Sequence, residues 1–212
     1  MAESGIRILG IDPGTRHVGY GILEQRDRTL TWVASGCISG GEGEIASRLV
    51  RIHRGLAEVI ERHHPDAAAV ETVFTSNNPK TAIAIGEGRG VAVLSAAERG
   101  LTVTGYEPTL VKRAVAGSGR AGKEQVRSMV QILLSLPEAP ATDHEADALA
   151  LAITHAMHCR APSSGNEGRK AARPPGSGRG QLPEFVLRQL PPDILRQAAG
   201  RTRRAGRGGR RA

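Results

Sequence analysis

The chain has 212 residues, 39% of them hydrophobic but only 2% aromatic, so one core domain must be built from Ala, Val, Ile and Leu. No run of 18 apolar residues is present, which excludes a transmembrane helix, and two cysteines, Cys37 and Cys159, cannot frame a disulfide scaffold. The net charge of +8 is unevenly placed: residues 161–212 hold 12 of the 29 Lys and Arg but 3 of the 21 Asp and Glu, so a nearly neutral domain over residues 1–160 precedes a basic, Gly-, Pro- and Arg-rich tail expected to be disordered.

Residues 7–12 (RILGID) are an apolar run closed by Pro13-Gly14, which reads as a buried strand ending in a turn. Residues 18–23 and 30–38 read as two further strands. Residues 45–64 set apolar side chains at 45, 49, 52, 56, 59 and 60, a helical spacing stopped by Pro65-Asp66. Residues 67–70 form a short buried strand that delivers Glu71. Residues 79–99 are an Ala-rich helix containing Gly86, Gly88 and Gly90, and glycines inside a helix predict close packing against another backbone. A strand over 101–106 follows, then helices over 108–116 and 124–134 around the loop 117–123, and a last helix over 142–158. The order βββαβαβααα predicts an α/β fold with a central mixed sheet flanked by helices.

Several polar residues stand where a core strand or helix does not need them. Asp12 ends the first strand, and ligands of open α/β sheets gather at strand ends; capping of the Pro13-Gly14 turn is the plain structural alternative. Glu71 follows Ala-Ala-Ala-Val at another strand end, and a carboxylate buried there needs a cation or a donor. Thr142-Asp143-His144-Glu145-Ala146-Asp147 opens a helix whose continuation is apolar. Thr142 and Glu145 have the spacing of a capping box, and Asp143 suits the helix dipole. Asp147 has neither explanation. His144 shares its face at i, i+3, and Asp143 does so equally at i, i+4. Three carboxylates brought together repel one another unless a cation intervenes, and Mg²⁺ or Mn²⁺ suits oxygen ligands and water. Two such ions support phosphodiester hydrolysis.

These stretches resemble the RuvC family of Holliday junction resolvases. Gly10-Ile11-Asp12-Pro13-Gly14-Thr15, Val70-Glu71-Thr72-Val73-Phe74 and Ala146-Asp147-Ala148-Leu149-Ala150 carry the resemblance. Gly19-Tyr20-Gly21, Gly88-Arg89-Gly90-Val91 and Ala152-Ile153-Thr154-His155 extend it in consistent order over about residues 6–158. The resemblance implies a ribonuclease H-like fold with a five-stranded sheet, a homodimer, and a structure-selective endonuclease making paired, symmetric nicks in four-way junction DNA during recombination and repair. It places catalytic and metal-binding roles on Asp12, Glu71, His144 and Asp147, with two Mg²⁺ ions (Mn²⁺ as substitute) per site; some members have aspartate where this chain has His144. It implies DNA contacts at Phe74, acting at the junction crossover, where a ring stacking on an unpaired base is worth about 1–3 kcal/mol, and at Lys112 and Lys123 near the scissile phosphate; Arg113 and Arg120, around the same glycine loop, and Arg89 are further candidate DNA contacts. The RuvA–RuvB branch-migration complex is the implied partner. A chain without a basic-then-apolar leader is expected in the cytoplasm.

Gly117-Ser118-Gly119-Arg120-Ala121-Gly122-Lys123 satisfies half of a phosphate loop, but Glu124 follows where Ser or Thr is required. The Gly10–Thr15 turn also occurs in actin-like and sugar-kinase nucleotide-binding domains, which pair two such domains and have no place for Asp147. A non-catalytic junction-binding protein is the third alternative.

Overall fold

The computed structural model describes residues 5–27, 29–72 and 79–158. The expected tail over 161–212 and Phe74 therefore lie outside the described residues. Ten elements follow in chain order: β1 (Ile6–Asp12), β2 (His17–Arg26), β3 (Thr29–Ser39), α1 (Ile45–His63), β4 (Ala67–Glu71), α2 (Pro79–Ala97), β5 (Thr102–Tyr106), α3 (Pro108–Ala116), α4 (Lys123–Leu133) and α5 (Asp143–His158). The chemistry at their ends is local. His64 takes a left-handed conformation (φ 47°) that lets its N–H reach the carbonyl of Ile60, and Pro65 prevents α1 from continuing. Pro108 opens α3 at a position where the missing N–H costs nothing, and Gly117 closes it at φ 73°.

The five strands form one mixed sheet in the order β3-β2-β1-β4-β5. β1 pairs antiparallel with β2 and parallel with β4, and β4 pairs parallel with β5. This is the α/β sheet flanked by helices that the element order predicts. Side chains alternate across it, as the two-residue period of a strand requires. Leu9, Ile11, Ala68 and Val70 point into one layer with Ile52, Leu56 and Ile60 of α1 and Ala92 and Ala96 of α2. Ile8 and Ala69 point into the other, against α3, α4 and α5. β1 is thus covered on both faces, which is why it reads as an unbroken apolar run.

α5 is buried over Ala146 and over every residue from Ala148 to Ala156, so it is an inner helix whose acidic residues, Asp143, Glu145 and Asp147, all lie in its first turns. Small residues let it lie directly on the sheet. A Cβ on Gly10 would stand 1.9 Å from the carbonyl oxygen of Ala148, and one on Gly19 would stand 1.9 Å from that of His144. At the far end, the Tyr106 hydroxyl and His155 Nδ1 are 3.0 Å apart, tying β5 to α5. The three glycines of α2 divide differently from expectation. A Cβ on Gly88 would lie 2.7 Å from the carbonyl of Gly14, whereas among the described residues nothing lies within 4 Å of a Cβ on Gly86 or Gly90.

Gly10→Ala is expected to destabilise the domain by about 3 kcal/mol, because the clash is with backbone and cannot be relieved by a rotamer change. Urea denaturation measures it; a loss below about 1 kcal/mol would show that α5 can lift from β1 freely.

Candidate active site

Parallel pairing of β1 and β4 brings both C-terminal strand ends to the same edge. The register pairs Ile11 with Val70, so Asp12 and Glu71 are the next residues of the two strands. The third acid comes from α5, whose first turn is held at that edge by the contact of Gly19 with His144; Gly19 is the antiparallel partner of Asp12. Asp12, Glu71, His144 and Asp147, named from sequence, therefore gather at one place.

Asp12 is 8% exposed, and its Oδ2 lies 2.6 Å from His144 Nδ1. With Nδ1–H donating to that carboxylate, Nε2 is the ring nitrogen on the side away from Asp12. Burial raises the Asp12 carboxyl above its ordinary value, opposed by the hydrogen bond and charge of His144 and by Lys123. Burial lifts Glu71 to about 7, with the negative charges of Asp12 and Asp147 adding and Lys112 opposing. Burial lifts Asp147 to about 6; Asp12 and Asp143 add repulsion, while Lys123 and His144 counteract it. Glu71 and Asp147 thus both feel the charge of Asp12, and Glu71 that of Asp147 as well, a repulsion that a cation would relieve.

Among the described residues, no three of His, Cys, Asp and Glu already converge as a closed ligand cage. The four residues are grouped at one sheet edge without forming a preassembled metal shell. The donor set still fits Mg²⁺ or Mn²⁺. Mg²⁺ retains several waters and takes one or two carboxylates with substrate phosphate, so it suits an open carboxylate cluster, whereas structural Zn²⁺ demands closed N and S coordination.

The basic residues separate into two groups. Lys112 of α3 and Lys123 at the start of α4 couple electrostatically to the carboxylates, and Lys123 Nζ also pairs with Asp143 Oδ2 at 3.1 Å. That pairing gives Asp143 a partner away from Asp147. Arg113 and Arg120 stand exposed, at the end of α3 and in the loop before α4. Arg89 is half-buried on α2, and its Nε donates to the carbonyl oxygen of Glu71 at 3.1 Å.

Two neighbours escaped the sequence reading. The exposed His17 ring lies 6.0 Å from that of His144, nearly parallel at 28°. Ser35 Oγ donates to Glu145 Oε1 at 2.6 Å. Only the pairing of β2 with β1 and β3, with α5 laid across them, creates these contacts; no sequence spacing encodes them. The Thr142–Glu145 capping box is half as expected. The Glu145 N–H donates to Thr142 Oγ1 at 3.1 Å, but Glu145 Oε2 accepts from the N–H of Ala141, one residue before the cap.

Comparison with known proteins adds an independent line. The family described as Crossover junction endodeoxyribonuclease RuvC matches residues 8–155. A protein of that name from Azorhizobium caulinodans is 49% identical over 166 residues, covering 77% of this chain and 96% of its own. Another from Pelotomaculum thermopropionicum is 51% identical over 152 residues, covering 71% and 93%. The solved structure of Thermus thermophilus RuvC in complex with a Holliday junction substrate superposes with a TM-score of 0.67 at 37% identity, covering 72% of this chain and 93% of its own. The yeast mitochondrial Holliday junction resolvase Ydc2, at 12% identity and a TM-score of 0.54, shares the fold. The nucleotide-binding and non-catalytic alternatives are not favoured by these findings.

The raised carboxyls make a stability prediction. Folded Glu71 and Asp147 hold protons to higher pH than an unfolded chain, so their contribution is complete below the ordinary values of 4.5 and 3.8 and is lost as pH rises through about 7 and about 6. In the absence of divalent cation, Glu71→Gln should match wild type near pH 4.5 and unfold about 2–4 °C higher at pH 8, as about 1 kcal/mol requires in a domain of this size. A melting difference independent of pH would show that Glu71 is not destabilised by its neighbours.

Proposed function

The chain belongs to the RuvC family of crossover junction endodeoxyribonucleases, and on that premise we propose that it resolves Holliday junctions by paired, symmetric nicks made with two Mg²⁺ ions per active site. The observation that carries this reading is the electrostatically coupled cluster of Asp12, Glu71 and Asp147 at one sheet edge, with His144 hydrogen-bonded to Asp12. Asp12, Glu71 and Asp147 supply carboxylate oxygens as ligands, and His144 supplies a ring nitrogen. When bound, the ions activate a water at neutral pH and stabilise the leaving 3′ oxygen. His144 holds the Asp12 carboxylate in one orientation through Nδ1. Lys112 and Lys123 offer positive charge to the scissile phosphate, and Arg113 and Arg120 to the flanking backbone. Phe74, outside the described residues, stacks at the crossover.

A junction with two symmetric strands calls for two active sites, which a homodimer supplies. Ile83 (63% exposed) and Leu94 (52% exposed) on α2, with the open space beside Gly86 and Gly90, support that helix as the subunit contact. Among the described residues no helix is long and apolar enough to cross a membrane, which agrees with work on DNA in the cytoplasm. RuvA–RuvB is the expected branch-migration partner. Residues 161–212 form a basic tail that contacts phosphates without reading junction structure.

Three outcomes test this. On a synthetic four-way junction, Asp12→Asn, Glu71→Gln and Asp147→Asn should bind like wild type yet cut at least about 100-fold more slowly with Mg²⁺; near-normal turnover in two of them would remove the site. His144→Asp should stay active with an altered metal dependence while His144→Ala is severely impaired, and an alanine variant equal to wild type at every metal concentration would demote the histidine. Deleting the chain after Arg160 should lower affinity for junction and duplex alike and flatten the plot of log affinity against log salt by about 0.9 per lost phosphate contact. Unchanged slopes would make the tail dispensable.

A further inference from the structure

We propose that Arg89 is a positioning residue for the carboxylate cluster, and that the Gly88-Arg89 pair of α2 braces the backbone just after the two strand ends that bear Asp12 and Glu71. The inference rests on the nuclease reading above but goes beyond it, because it moves Arg89 from DNA contact to support of the site. Two adjacent residues of one helix turn reach the two strand ends. Gly88 is buried, and its bare Cα lets α2 abut the turn after Asp12: an added Cβ would meet the Gly14 carbonyl carbon and oxygen at 2.7 Å. Arg89 donates from Nε to the carbonyl oxygen of Glu71 at 3.1 Å. β4 ends at Glu71, so its carbonyl is the last of the strand, and the N–H of the next residue, Thr72, is held by the Tyr106 carbonyl of β5 at 2.8 Å. The peptide that joins Glu71 to Thr72 is therefore fixed from both sides, by α2 through its oxygen and by β5 through its nitrogen.

The backbone orientation of this peptide decides where the Glu71 side chain leaves the strand. A guanidinium is suited to the task, since its planar donors have a fixed direction and its charge persists at every relevant pH. Gly88 meanwhile allows α2 to sit at one distance from the Asp12 turn. The same helix thereby gauges both carboxylates, one by steric contact and one by a hydrogen bond. Metal-dependent nucleases need ligands held to a fraction of an ångström, and a displacement of about 1 Å costs roughly 100-fold in rate.

The test compares Arg89→Met, which keeps an apolar stem and removes every donor, with Arg89→Lys, which keeps a cationic donor group but loses the planar fork. Wild type must first cut a synthetic junction with Mg²⁺; if it does not, the nuclease reading itself fails. Three quantities are then read in each variant: junction Kd with its salt slope, single-turnover cutting at saturating enzyme, and the Mg²⁺ concentration at half-maximal rise in Tm. Arg89→Met is expected to keep the Kd and salt slope, to cut about 10- to 100-fold more slowly, and to need several-fold more Mg²⁺ for the Tm rise, with Arg89→Lys in between. Weakened binding, a flatter salt slope and full cutting at saturation would overturn the proposal in favour of a DNA contact. So would wild-type cutting and an unchanged Mg²⁺ midpoint in Arg89→Met. Should Arg89→Met fail to fold, Arg89→Lys decides: a raised midpoint at unchanged Kd supports the proposal, and an unchanged midpoint overturns it.

Discussion

Like charges forced together at one sheet edge govern this molecule. Parallel pairing of β1 and β4 fixes the two strand ends side by side, and α5 is pressed onto β1 and β2 closely enough to bring a third acid among them. Each carboxylate has lost water and faces the others, so the arrangement is unfavourable by itself. It persists because the surrounding structure overdetermines it. Leu9, Ile11, Ala68 and Val70 anchor the strands in one apolar layer, while α5 is embedded over most of its length in the other. Stability is drawn from the core and partly given up at the edge, where chemistry needs unsatisfied charge.

The cations around the cluster are held by the same helix. Lys112 and Lys123 belong to α3 and α4, which pack against α5. Acids and bases are thus referenced to one buried rod, and their relative positions do not depend on the exposed loops between them. Lys123 also engages Asp143, so the first residue of α4 bridges the helix that carries the cluster.

Much of this was legible in the sequence, for reasons that differ by residue. Asp12 and Glu71 are visible because each ends a largely apolar strand, where a buried carboxylate needs a cation or a donor, although turn capping also accounts for Asp12. Asp147 stood out because capping and the helix dipole account for Glu145 and Asp143 but stop one turn short of it. The strand and helix order followed from period and from Pro and Gly punctuation. What stayed hidden depends on which surfaces meet. The proximity of His17 to His144 and of Ser35 to Glu145 arises only after the sheet is ordered β3-β2-β1. The bond of Arg89 to a main-chain carbonyl leaves no pattern in side-chain identities. The sequence does not distinguish the three glycines of α2, yet among the described residues only Gly88 meets other backbone, because its side of the helix turns toward the Asp12 turn.

The seating of α5 on Gly10 and Gly19 has a consequence for how such a chain can vary over generations. One residue inserted into a helix turns everything beyond it by about 100° and advances it by about 1.5 Å. Inserted between His144 and Ala148, it would either swing His144 and Asp147 away from the sheet edge or rotate the buried stretch out of its layer. The connection between the α4 end and the Thr142 cap is under no such restriction around residues 137–140: it runs past Pro137 and Pro140, and its backbone there belongs to no sheet or helix. Lineages can therefore lengthen or shorten this connection while the helix after it stays locked residue for residue.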